Sequence, residues 1–478
     1  MLTRRTLMQT GLVAGASLFS RLGFAQSMPA LDRARRFVFF YLPGGWDQLL
    51  FLDPREEQGD IARTDVDPAY ASFGAPLGGG PHFTGRVYRP YATSRDFMLG
   101  PGVVATTGPG TDLPVAGPTL VSLASAGVPM AIVRGLNMGT LGHEPGQAYF
   151  LTAAPAQGSA AVGASIPIRI AALLEDPATA AQTLTPVLSF GLQSYTGDKP
   201  GRLAAFSVGS LDDVQRLLAR QSGLVLSPST EASLGRWKGR ALEKSRGLSR
   251  QLLQSYEGAA EMIEAKVADR FDLLRGTSPA LQAVRARYGL SAQSNPGSAE
   301  AVAAFAAQAV KESLAQFISV SMPVGLDSHG GDNRAHAQAA WPALRALSLF
   351  LDDLRSAPSA LGGTWLEHTT VLVFSEFART PRFNVAGGRD HHFTNSCLLA
   401  GAGVRAGAVV GGSSVVGMQP LPWDFEGART LPADTPLTAT RRHLVPEDIA
   451  ATLMASAGAP WNELRTARPL WPALTRAP

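Results

Sequence analysis

The chain has 478 residues, 45% of them hydrophobic and 17% charged, with a formal net charge of +4 at neutral pH. That balance describes a globular protein with ample core and excludes a disordered chain. It also argues against nucleic acid as a partner, because no Lys/Arg cluster or aromatic-basic stripe accompanies the small charge.

The first 25 residues read as an export signal. Thr3-Arg4-Arg5-Thr6-Leu7-Met8 puts twin arginines ahead of a weakly apolar, Gly/Ala-rich run at 11–19, and Gly23-Phe24-Ala25 supplies the small residues of a cleavage site after Ala25. The apolar run is well short of the ~20 residues that a membrane span needs, so no stable span is expected after cleavage. A periplasmic or extracellular destination follows, with the twin-arginine export machinery as the first partner. Cys397 is the single cysteine, which excludes an internal disulfide, and it is expected in a buried strand.

From 26 to 478 neither a repeat nor a clean linker divides the chain, and one elaborated α/β domain is expected. Residues 36–43 form the first apolar run and end at Gly44-Gly45-Trp46-Asp47. Gly and Pro crowd 72–118, the signature of long surface loops. A helix is predicted over 120–126 and a strand over 129–134. Pro145 suits the first turn of a helix continuing through 147–151, which places Thr140 and His143 near its N-terminus, where backbone N–H groups favour an anion. A strand is predicted at 186–191, and a helical insertion spans about 211–315. The strand at 317–324 leads to Asp327-Ser328-His329, and the next helix, 335–354, is expected to carry His336 on its surface. The run at 370–374 ends at Ser375-Glu376, with Arg379 next and Gly387-Gly388-Arg389-Asp390-His391-His392 closing the loop.

A buried parallel strand reads as a continuous apolar run, and ligands of open α/β sheets gather beyond the carboxyl ends of such strands. Asp47, His143, Asp327, His329, Glu376, Asp390 and His391 all fall after such runs or in tight turns. Together they are a mixed carboxylate and imidazole set, the donor chemistry of a hydrolytic site for one or two divalent ions. Zinc, manganese, magnesium and calcium all remain open.

Twin arginines, Gly44-Gly45-Trp46-Asp47, Asp327-Ser328-His329, Ser375-Glu-Phe-Ala-Arg-Thr-Pro381 and Gly387-Gly-Arg-Asp-His391 together resemble the exported bacterial family called domain of unknown function 1501. That family is similar to the alkaline phosphatase and sulfatase superfamily. The resemblance implies a central, mostly parallel sheet flanked by helices and hydrolysis of phosphate or sulfate esters at a metal site. It implies Asp47, Asp327, His329, Glu376 and His391 as metal ligands, with Asp390 a ligand or the group that orients His391. Glu376-Phe377 stands where relatives carry an aspartate often followed by histidine, and His392 stands where they carry an aromatic residue.

The superfamily's nucleophile is a hydroxyl or a modified cysteine at a helix N-terminus, and no Cys-x-Pro-x-Arg motif is present. Thr140 is the candidate, beside His143 as ligand or acid/base; Ser328 and Ser375 are alternatives. Arg379 and Arg389 either grip an anionic substrate or pair with Glu376 and Asp390. Two functions follow as expectations: an exported metal-dependent hydrolase acting on a small anionic ester, or a non-catalytic protein binding a glycan, surface polymer or protein partner.

Overall fold

The computed structural model describes residues 30–49, 51–53, 120–175, 185–218, 227–244, 267–330, 333–382, 384–386, 388–414, 416–464 and 466–475. The export signal at 1–25, the Gly/Pro-rich stretch at 72–118 and residues 245–266 of the helical block lie outside the described residues.

Apolar runs become strands β1 (Arg36–Tyr41), β2 (Met130–Asn137), β3 (Thr185–Phe190), β4 (Phe206–Val208), β5 (Ala315–Ser321) and β6 (Thr369–Phe374). A two-stranded ribbon, β7 (Ala378–Arg379) with β8 (His391–His392), precedes β9 (Thr394–Gly401) and β10 (Ala408–Gly411). The main sheet has the order β10-β2-β9-β6-β1-β5-β3-β4. Its neighbours are parallel except around β9, which runs opposite to β2 and β6. Short strands β11 (Trp423–Asp424), β12 (Arg429–Thr430) and β13 (Arg441–Arg442) form a separate small sheet. The expected α/β architecture, a mostly parallel sheet flanked by helices, is the one the chain adopts.

Helices cover both faces, as a sheet of continuous apolar strands requires. The helices among the described residues are α1 (Leu120–Ser125), α2 (His143–Thr152), α3 (Ile166–Leu174), α4 (Leu211–Leu218), α5 (Pro228–Lys244), which is exposed and covers neither face, α6 (Val267–Arg270), α7 (Pro279–Tyr288), α8 (Ala299–Lys311), α9 (Asn333–Ser356) and α10 (Pro446–Ser456). Strand β1 shows how two cores arise from one run: Val38 and Phe40 pack with α8 and α9, while Phe37, Phe39 and Tyr41 pack with α2, α3 and α10. Helix α8 begins where the Ser298 side chain accepts from Ala301 N–H, and its alanines are buried along its length.

Boundaries shift for local reasons. Strand β5 starts earlier than expected and stops at Ser321, two residues before Pro323, which has no N–H for a ladder. Strand β2 runs on to Asn137 past an irregularity between Arg134 and Leu136. Because β1, β2, β5 and β6 point one way and β9 the other, the segments leaving the first four and the segment entering β9 open on the same sheet edge.

Candidate metal centre

The turn after β1 reaches this edge only because it contains glycine. Gly44 has φ +107, and a Cβ there would lie 2.5 Å from Leu326 N, so the turn passes directly against the segment that leaves β5. That approach lines up Asp327 with the residues after β6.

Asp327 is the hub. One ligand atom from each of His143, Asp327 and His391 lies within 4.8 Å of the other two. Asp327 Oδ2 is 3.5 Å from His143 Nε2, while Oδ1 is 3.4 Å from His329 Nε2 and 3.7 Å from His391 Nε2. Ligands about 2.1 Å from a shared tetrahedral ion stand about 3.4 Å apart, close to the spacing of the Asp327 carboxylate from each imidazole. The two Nε2 atoms of His329 and His391 are 2.8 Å apart.

The far side of each ring decides what the near side presents. His143 Nδ1 lies 2.6 Å from Glu376 Oε1, His329 Nδ1 lies 2.9 Å from Asp390 Oδ1, and His391 Nδ1 meets the Leu141 carbonyl. All three partners only accept, so each Nδ1 carries the proton and donates it. A neutral ring protonated at Nδ1 turns an Nε2 lone pair toward Asp327, and the 2.8 Å between the Nε2 atoms of His329 and His391 requires a proton or a cation between them. Convergent acceptors repel one another unless a cation lies between them, and rings anchored from behind by carboxylate or carbonyl are how proteins present imidazole to metal. The residues fit a divalent ion.

Glu376 was expected as a ligand; the structure places it behind His143. Its side chain is 1% exposed, Oε1 also accepts from Gly44 N–H at 2.9 Å, and Oε2 lies 2.8 Å from the Ser375 hydroxyl. Burial pushes its carboxyl up, but the hydrogen bonds from His143, Ser375 and the Gly44 backbone outweigh that and hold it below the usual range. The same bond raises the His143 pKa. Burial lowers that of His391 and the Arg379 charge adds to it, against the opposing bond to the Leu141 carbonyl. Phe377 fixes both imidazoles, its ring centroid 4.2 Å from that of His391 and 4.8 Å from that of His143.

The arginines face inward. Arg379 has a fully buried side chain, donates to the carbonyls of Gly44, Gly45 and Arg389, and holds Asp327 Oδ1 at 2.7 Å. Two readings stood for it, gripping an anionic substrate or pairing with Glu376 or Asp390; its hydrogen bonds instead go to three backbone carbonyls and to Asp327, whose carboxyl it holds down against the opposing effect of burial. Arg389 lies with its Nε 3.0 Å from Asp47 Oδ2, both side chains 1% exposed. Asp47 Oδ1 accepts from Leu49 N–H at 3.0 Å. Asp47 therefore joins a buried ion pair and not the imidazole group around Asp327.

Other expectations are redistributed. Asp390 orients His329, not His391, with Asn384 Nδ2 donating to the same oxygen at 2.8 Å. His392 is buried, lying 2.9 Å from the Gly417 carbonyl and accepting at Nδ1 from Thr394 N–H, so it supplies no ligand. Thr140 Oγ1 accepts from Gly142 N–H at 3.2 Å, one residue before α2 begins with His143. His336 is 2% exposed and not on a helix surface. Its Nε2 accepts from Asp47 N–H at 2.9 Å and its Nδ1 meets Ser328 Oγ at 3.1 Å. The roles of His336, Asn384 and Phe377 had no sequence signal, since each depends on a partner far along the chain.

Among solved structures similar to this chain are the crystal structure of Ps i-CgsB in complex with k-i-k-neocarrahexaose, at 10% identity over 91% of this chain and 75% of that one with a TM-score of 0.33, and that of the PH0037 protein from Pyrococcus horikoshii, at 13% identity over 79% and 89% with a TM-score of 0.21. No curated protein is significantly similar in sequence. The family model described as "Protein of unknown function (DUF1501)" matches residues 34–465, and the chain belongs to that family.

Proposed function

We propose that this chain is an exported, metal-dependent hydrolase of phosphate or sulfate esters, built on an alkaline-phosphatase-like sheet. The observation that carries the reading is the convergence of three imidazole Nε2 atoms on Asp327 at the carboxyl edge of the sheet. His143, His329, His391 and Asp327 would hold the ion; the donor set favours zinc or manganese over magnesium or calcium. When bound, a divalent cation supplies Lewis acidity toward an ester oxygen.

The protein's own groups do the positioning. Glu376, Asp390 and the Leu141 carbonyl fix the rings, and Arg379 fixes the carboxylate. Thr140 is the proposed nucleophile. Its oxygen receives the Gly142 N–H, which favours negative charge there, and it stands at the turn that leads into α2. The proposed export route rests on the twin arginines at Arg4 and Arg5; Arg4→Lys with Arg5→Lys should leave the protein in the cytoplasmic fraction.

The inward turn of Arg379 and Arg389 favours one competing reading, a metal protein that binds a glycan or surface polymer without turnover. Metal content and hydrolysis of aryl phosphate and aryl sulfate esters separate the two. Turnover that requires added metal and is lost in Asp327→Asn and Thr140→Ala supports the hydrolase. A metal-replete protein with no turnover on either ester class supports binding, and a protein that takes up no metal sinks the proposal.

A further inference from the structure

We infer that the centre takes a single divalent ion, and that Arg389 supplies at Asp47 the positive charge that a second ion would bring. The inference rests on the metal-dependent reading above and narrows it. Two-ion sites need carboxylates free to face both cations. Here Asp47 faces Arg389, with Nε 3.0 Å from Oδ2, and its other oxygen takes the Leu49 N–H.

The guanidinium is locked by its surroundings. Arg389 N–H donates to the Ser328 carbonyl at 2.9 Å and Nη1 to the Thr380 carbonyl at 2.8 Å. Next to it, Gly388 packs so tightly that a Cβ would lie 2.3 Å from the His329 carbonyl oxygen. The Asp47 backbone is held in turn by His336. A cation at Asp47 must therefore displace a buried guanidinium whose backbone is anchored on both sides, which leaves that charge without its partner.

Charge counting leads to the same number. Asp47 is matched by Arg389 and Asp327 by Arg379, so Glu376 and Asp390 remain, each behind an imidazole. Two negative charges balance one divalent ion. The ligand atoms agree, because His143, Asp327 and His391 are mutually close around one centre.

The full chain, loaded with excess Zn²⁺ or Mn²⁺ and desalted, is measured by elemental analysis and native mass spectrometry, and the Mn²⁺ form by electron paramagnetic resonance. The expected result is one ion per chain and an uncoupled six-line Mn²⁺ signal. Asp47→Asn keeps that ion, whereas Asp327→Asn loses it. Two ions per chain, or a coupled manganese spectrum, overturn the inference and leave metal dependence standing. A wild-type chain that takes up no ion overturns both. Loss of the ion from a folded Asp47→Asn also overturns it, and should that variant not fold, the wild-type stoichiometry decides alone.

Discussion

The proton on each Nδ1 sets what the imidazoles of this centre offer, and Glu376 is the clearest case. Gln at 376 keeps the size of the side chain but replaces a charged acceptor with a neutral amide, so the His143 ring loses its fixed tautomer. Metal affinity should fall about 10- to 100-fold in Glu376→Gln, the usual effect of removing a group that orients a ligand. A competition titration with a chromogenic chelator measures this, and unchanged affinity would remove His143 from the ligand set. His336 gives a second prediction at this scale. Burial and the charges of Arg379 and Arg389 lower its pKa to about 3 from the ordinary 6.5. Between those values the unfolded chain binds a proton that the folded chain refuses, so stability falls as pH drops through 6.5 toward 3. Chemical denaturation of metal-free protein at pH 7 and pH 5 should show lower stability at pH 5, with a shallower slope in His336→Gln. Equal slopes would mean that another group controls this range. Asp327, His143, Glu376 and His391 were legible in the sequence as chemistry at strand ends. The division into ligands and anchors was not, because it depends on which nitrogen of each ring meets an acceptor.

Elements were legible where burial on both faces wrote a continuous apolar run, as in β1, β5 and β6. Strand β9 shows the limit. Its residues Thr394–Gly401 are buried throughout, yet its first half is Thr, Asn and Ser, and no periodicity reveals that it runs antiparallel. Asn395 explains part of that polarity, since its side chain accepts from Trp46 Nε1 and donates to the Ser375 carbonyl, stitching the site loops to the sheet. Helix α10 was not foreseen either; its start is held by Asp448, a buried carboxylate that binds Val445 and Arg442 nearby and Arg468 farther along the chain. Asp448 accepts from Arg442 through both of its oxygens at 2.7 Å, from Val445 N–H and from Arg468 N–H. Asp448→Ala removes the cap and leaves a partly buried guanidinium and two N–H groups without it. The expected loss is about 3–5 kcal/mol, measured by urea unfolding. A loss under about 1 kcal/mol would mean that water replaces the carboxylate there, as it does at exposed pairs.

Across the whole molecule, the centre joins parts of the sheet that are not neighbours. His143 follows β2 and Asp327 and His329 follow β5, while β9, β6 and β1 lie between those strands in the sheet order. An ion held by these residues therefore ties the loops of separated strands across the carboxyl edge, and it binds only the folded chain, because unfolding disperses the ligands. Ligand binding of that kind stabilises by about 2.7 kcal/mol at a free concentration a hundredfold above Kd. In a domain this large that is a rise in Tm on the order of 3 °C. Chelation should accordingly lower Tm by a few degrees, and stoichiometric Zn²⁺ or Mn²⁺ should restore it. Asp327→Asn should already sit near the chelated value and respond to neither treatment, while Thr140→Ala should keep the full metal response even if turnover is lost. A chelator-insensitive Tm in the wild type would mean that the three imidazoles and Asp327 do not share an ion in solution.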